Sequence, residues 1–328
     1  MFKWQEPAWS AWMALRDRLP HAILIQSGEG WGEFEFGQVI AQSLLCERPG
    51  AARRACGTCQ ACNWFTLGNH PDFRLVVPES LAPEPEESLE AGKKRSDQIR
   101  IDQIRELADF LAVGTHRAGL RVVLIYPAEA MNANTQNALL KNLEEPPPAT
   151  VFLLVATQPD RLLPTVRSRC VILGLPLPDS AEVLAWLKEH GIEQPQSALA
   201  AVGGAPMAAL KGAASETDRI AFIEGLRAPS FDPIVLAESM QRVPLSDLVV
   251  WLQRWSFDLQ LARATGRVRY HLGHEKPIAE IALRCPAAGI AAYLRRLAQA
   301  RALARHPLNA KLFIEDLLLQ YQRLVGQP

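Results

Sequence analysis

The chain has 328 residues, 48% of them hydrophobic and 21% charged, which is enough length and apolar content for two or three globular domains. Lys plus Arg and Asp plus Glu both number 35, so the formal charge is zero and a general polyanion binder is excluded. No apolar run approaches the ~18–20 residues needed to cross a bilayer. The N-terminal stretch Met1–Pro20 lacks the apolar centre of a secretory signal, so a cytoplasmic location without a membrane partner is expected.

In chain order, the apolar run Ala22–Gln26 predicts a strand and Glu33–Leu45 a helix. Between them lies SGEGWGEFEFG, Ser27–Gly37, in the setting of a phosphate loop of pattern G-x-x-x-x-G-K-[ST]. With Gly32 as the second glycine, Ser27 replaces the first, Glu33 the lysine and Phe34 the hydroxyl residue. The lysine change reverses the local charge where a polyanion would sit, and Phe34 cannot ligate Mg2+. Two readings stay open: a phosphate loop without its chemistry, or a Gly-rich turn of an unrelated α/β protein.

Four cysteines follow as Cys46-x9-Cys56-x2-Cys59-x2-Cys62, with Gly57 suited to the turn between the second and third. Four thiolates at such spacing suit a closed, tetrahedral structural Zn2+ site. An iron–sulfur cluster and free thiols are the alternatives, and His70 in GNHPD is a possible substitute ligand. Cys170 and Cys285 are expected to be buried small apolar residues.

Further strands are expected at Phe73–Val77, Arg121–Tyr126, Val151–Thr157 and Cys170–Leu175, with helices at Asp102–Val113 and Asn132–Glu144. Such alternation implies a parallel sheet covered on both faces. Pro78–Gln98 reads as a solvated loop, and the prolines 146–148 stop the preceding helix. After the strand Arg121–Tyr126 a phosphate-loop enzyme needs an acid for Mg2+. Tyr126 and Pro127 stand there instead, with Glu129 two residues on and expected to point elsewhere. Beyond Leu175 the strands stop. Asp179 or Ser180 caps a helix, a small helical unit runs to Gly212, and Glu216–Val325 is helical, with Leu248, Val249, Trp251, Leu252, Trp255 and Leu259 forming a core stripe. The basic runs Arg263–Lys276 and Arg295–Arg305 read as solvated faces.

The segment NALLKNLEEPPPATVFLLVATQPDRLLPTVRSRCVIL, Asn137–Leu173, closely resembles bacterial clamp-loader subunits of the AAA+ class. HAILIQ, the four-cysteine module, NHPDF and the late NAKLFIEDLLL extend the resemblance over the whole chain. It implies an α/β domain followed by all-α domains: an AAA+ RecA-like parallel sheet at 1–175 with a zinc module within about 46–70, a small helical lid at 176–213, and an all-α C-terminal collar for oligomerisation at 214–328. Ser27, Glu33, Phe34, Tyr126 and Pro127 depart from the family's motor subunits, gamma and tau. Pro206 stands where the motors carry a second sensor arginine. The resemblance is therefore to a silent stator with no ATP of its own and a structural Zn2+. It implies a hetero-pentamer with gamma/tau and the delta subunit, meeting the sliding clamp and primer-template DNA through that complex. Arg169, in the motif Ser168-Arg169-Cys170, would act in trans as an arginine finger, with Ser168 and Cys170 fixing its placement. An active ATP-binding motor subunit and a zinc-dependent nucleic-acid-binding protein are the rival readings.

Overall fold

Five runs rich in Ile, Val and Leu form β1 (Ala22–Gln26), β2 (Phe73–Val76), β3 (Arg121–Ile125), β4 (Thr150–Ala156) and β5 (Val171–Gly174). In the computed structural model, which describes residues 1–82, 95–112, 114–116, 119–212, 215–228, 230–304 and 309–326, they pair in the order β2-β3-β4-β1-β5. Every pairing is parallel, with Ile23 opposite Leu153 on one side of β1 and Val171 on the other. The expected loop Pro78–Gln98 lies largely outside the described residues, as do residues 213 and 214.

Period-2 alternation divides the sheet into two apolar faces. Leu24, Val123, Ile125, Phe152 and Leu154 pack with Ile104 and Leu107 of α4 (Ile101–Ala112) and Leu139 and Leu143 of α5 (Ala133–Glu144). Ile23, Ile25, Val122, Leu124 and Leu153 pack with Trp9 and Trp12 of α1 (Glu6–Arg16) and Phe36 and Ile40 of α2 (Glu33–Leu45). A short helix α3 (Gln60–Thr66) lies in the cysteine segment, and α6 (Pro164–Arg167) precedes β5. Helices on both faces explain why these strands are near-continuous apolar runs. β1 lies between β4 and β5, so the chain's winding reverses beside it. Such a switch point is where open α/β sheets place ligands, at the carboxyl ends of the strands.

The chain separates into two compact units, Met1–Glu182 and Val183–Pro328. The first contains the sheet. The second is helical, with α8 (Pro195–Ala201), α9 (Pro206–Gly212), α10 (Glu216–Arg227), α11 (Pro233–Ser239), α12 (Leu245–Thr265), α13 (Glu275–Arg284), α14 (Ala287–Leu303) and α15 (Ala310–Val325). Between the sheet and α8 runs α7 (Ser180–Glu189), whose first turn is capped by Asp179: its carboxylate accepts from the Ala181 and Glu182 amides. The six stripe residues of α12 are all buried. Trp255 donates its indole N–H to the Tyr321 hydroxyl at 2.8 Å, which satisfies two polar groups inside this core. Asp258, fully buried, accepts from the amides of Arg269, Tyr270 and His271 and from His271 Nδ1, and so fastens the α12–α13 connection. Burial, the largest influence on His271, lowers its pKa, against the hydrogen bond and charge of Asp258, which raise it. Among the described residues no helix is long and apolar enough to cross a membrane.

Candidate functional site

The loop after β1 joins that strand to α2, the setting in which the sequence led us to expect a phosphate loop. Gly32 is the N-cap of α2 with φ +85°, and a Cβ there would lie 2.6 Å from the Phe2 ring and 2.8 Å from the Gln5 amide. Glycine is required by both conformation and space. Amides at such a turn point toward a bound anion. Here they meet the chain's own carboxylate. Glu33, only 3% exposed, accepts from Gly30 N–H at 3.3 Å through Oε1 and from Trp31 N–H at 3.0 Å through Oε2. Tyr126 donates its O–H to Glu33 Oε1 at 3.1 Å, and its ring stacks on Phe34 with centroids 4.8 Å apart. Burial and then the Glu33 charge raise the Tyr126 phenol well above its ordinary range, which keeps it a donor.

The N-terminal segment closes the other side of the loop. The Gln5 amide donates to Gly32 O at 2.7 Å and to Trp31 O at 3.4 Å, and the Trp4 indole donates to Trp31 O at 2.9 Å. The expected Mg2+ position, at Tyr126 and Pro127, offers a neutral hydroxyl and a ring. Glu129 is engaged with the end of β4: its Oε1 accepts from the Thr157 amide at 3.0 Å, the Thr157 hydroxyl at 2.6 Å and the Gln158 amide at 3.0 Å. That carboxylate ties the ends of β3 and β4 together.

The four cysteines converge. Their Sγ atoms lie within 4.8 Å of one another, and Cys46 and Cys59 are 3.9 Å apart. A tetrahedral ion with ~2.3 Å metal–sulfur bonds wants sulfurs about 3.8 Å apart, so the group could hold a metal ion. Amides of Cys56, Cys59 and Cys62 donate to Cys46, Cys56 and Cys59 Sγ at 3.3, 3.3 and 3.4 Å, bonds that suit thiolates. Gly57 makes the turn with φ +71°. Thr58, by its amide first and its hydroxyl second, lowers the Cys56 thiol to about 6, whereas burial pushes Cys62 up to about 12. A bound cation favours the thiolate of both. His70 is not part of this group: its Nδ1 accepts from the Asp72 amide at 3.0 Å and its ring meets Trp64 edge-on. The module docks on α1, where Trp9 donates to Ala52 O, Arg16 donates to Arg53 O and Arg54 pairs with Glu6.

Ser168, Arg169 and Cys170 sit between α6 and β5. Arg169 donates through Nη1 to Thr165 O at 2.7 Å and pairs through Nη2 with Glu144 Oε1 at 2.5 Å. Ser168 Oγ donates to the same Thr165 carbonyl at 3.2 Å, and the Cys170 thiol to Val166 O at 3.4 Å. Neither flanking side chain bonds the guanidinium. The residue that does, Glu144, lies twenty-five positions earlier, and no spacing rule links the two. Because β1 and β5 are parallel neighbours, the loop at the end of β1 and Arg169 before the start of β5 stand at opposite ends of the sheet. Five strand residues at ~3.3 Å each put about 16 Å between them.

The sequence model of a family described as "DNA polymerase III, delta subunit" matches residues 9–179. A DNA polymerase III subunit delta' from Pseudomonas aeruginosa is 37% identical over 99% of this chain and 98% of its own length. The Escherichia coli K12 subunit of the same name is 33% identical over 58% of this chain and 53% of its own length. The crystal structure of a DNA polymerase III gamma subunit-related protein from Thermotoga maritima shares the fold, with 17% identity and a TM-score of 0.50 over 97% of this chain and 99% of that one. The chain belongs to the family of DNA polymerase III delta-prime subunits.

Proposed function

We propose that this member of the delta-prime family is the silent AAA+ stator of a clamp loader: it binds no ATP of its own and supplies Arg169 to the ATP site of a neighbouring motor subunit. The observation that carries the reading is the seat of Glu33. A phosphate loop works by presenting amide donors and a lysine to phosphate oxygens. In this chain the amides of Gly30 and Trp31 already hold a carboxylate, which repels a triphosphate as well as blocking it. Tyr126 and Phe34 fill the place where metal ligands are needed.

Arg169 suits the complementary role. A guanidinium keeps its charge and offers forked donors to a transferring phosphoryl group. Its position at the opposite end of the sheet supports service to another chain's nucleotide. The partners in this reading are the motor subunits (gamma/tau) and delta in a hetero-pentamer, with the sliding clamp and primed DNA met through it. Residues 176–213 serve as a lid and 214–328 as the collar. The four cysteines hold one structural Zn2+, stabilising the module docked on α1 and leaving no open coordination position for chemistry.

The test is reconstitution with motor and delta subunits. Arg169→Ala is expected to leave co-purification intact and to cut turnover at the ATP site it faces by roughly 10³-fold, the lower range for arginine fingers. Unchanged ATPase would remove the trans role. Micromolar, Mg2+-dependent ATP binding by the isolated chain would remove the silent role. Metal analysis of the purified chain is expected to find one zinc per chain.

A further inference from the structure

The pair Glu144–Arg169 carries one step further, resting on the reading of Arg169 above. We propose that Glu144 is a positioning residue for Arg169: it holds the guanidinium in one arrangement, against the end of α5, before a neighbour's nucleotide arrives.

Glu144 is the last residue of α5, where the helix dipole disfavours negative charge and where the proline run ends the helix. Helix stability gives no reason for an acid there; the nearby cation does. The backbones on both sides are fixed by burial, Leu143 at 1% exposure before Glu144 and Val166 at 0% beneath Arg169. Two rigid supports thus present a carboxylate and a guanidinium to each other across 2.5 Å. The contacts also leave the arginine usable. Of the five guanidinium N–H groups, one goes to Glu144 and one to Thr165 O, so the others stay open to an incoming anion, and about a third of the side chain is exposed. Both partners are partly exposed, so the pair adds little to folding stability. Its effect is on geometry: a long side chain that would sample many rotamers is held in one.

The experiment is a double-mutant cycle on the full-length chain in the reconstituted complex: wild type, E144A, R169A and E144A/R169A, with kcat and KM for ATP measured at fixed ionic strength. E144A is expected to lower kcat about three- to tenfold, less than a fully misplaced catalytic group costs. KM, co-purification and melting temperature should not change. E144Q, which keeps the length and loses the charge, is expected to fall in the same direction. In the R169A background, E144A should change nothing further. An equal loss in both backgrounds would mean that Glu144 acts on the fold rather than through Arg169, and would overturn the proposal. So would an unchanged or raised kcat for E144A while R169A is impaired. If R169A itself has wild-type kcat, the reading of Arg169 falls first, and the role of Glu144 falls with it.

Discussion

The loop after β1 and the Ser168–Cys170 edge are both built at ends of strands in one sheet, yet they treat charge in opposite ways. In the loop, Glu33 is buried and its oxygens bond to the chain's own amides and to Tyr126. At the edge, Arg169 is held by Glu144 and the Thr165 carbonyl and keeps part of its side chain in solvent. A charge that is closed off acts only within its own fold, whereas a charge left partly open stays within reach of groups outside the chain. Sequence pattern alone treats both as motif positions; burial separates them.

That contrast is best broken by exchanging effects. Changes at the edge should cost turnover and little stability; changes in the loop should cost stability and little turnover. The Arg169→Ala loss is the largest expected effect, and denaturation of the same variant should show a change within about 0.5 kcal/mol, as for ordinary surface substitutions. Next is Glu33→Lys, which strands the Gly30 and Trp31 amides and buries a cation among donors. It should destabilise the chain by about 3 kcal/mol or more in urea titrations and gain no ATP affinity, since Phe34 and Tyr126 remain. Tight ATP binding by that variant would show that only the lysine was missing. Tyr126→Phe, losing one hydroxyl donor, should cost about 1 kcal/mol near pH 8.

The smallest effect is in the pH dependence of that last difference. Tyr126 has a raised folded pKa, so the unfolded chain gives up its proton first. Its contribution is present below the ordinary tyrosine value of about 10 and is lost as pH rises above it. Denaturation at pH 8 and pH 10.5 should therefore show the gap between wild type and Tyr126→Phe narrowing at the higher pH. Other buried tyrosines, such as Tyr293 and Tyr321, titrate in both proteins and cancel in the comparison.

Strands were the most legible part of the chain. Ala22–Gln26 and Glu33–Leu45 have the expected bounds, and the other four strands differ by one residue at either end. Two-sided burial demands unbroken apolar runs, and such runs have sharp edges. The α1 helix was not anticipated, although Trp9 and Trp12 repeat at helical spacing, and with it the Trp4 and Gln5 seal on the loop was missed. The sequence showed that Glu33 cannot do a lysine's work but not what it does instead. A carboxylate reaches amides two and three residues back only because Gly30 and Gly32 adopt positive φ, a property of the folded turn. Glu144 was quoted within a motif and given no role, because its contact with Arg169 exists only after α5 and α6 pack. The cysteine cluster was legible from spacing, and the fold brings all four sulfurs together while leaving His70 outside.

The parallel pairing of β1 with β5 has a consequence for assembly. If every ATP site in a ring is made from one chain's loop and the next chain's arginine, each subunit has a receiving end and a giving end. Under the proposed function, a chain whose receiving end is plugged by Glu33 and whose giving end is open would begin the series. It would break the circle into a row with a fixed first member and direction, and the working sites would then number no more than the motors that follow it.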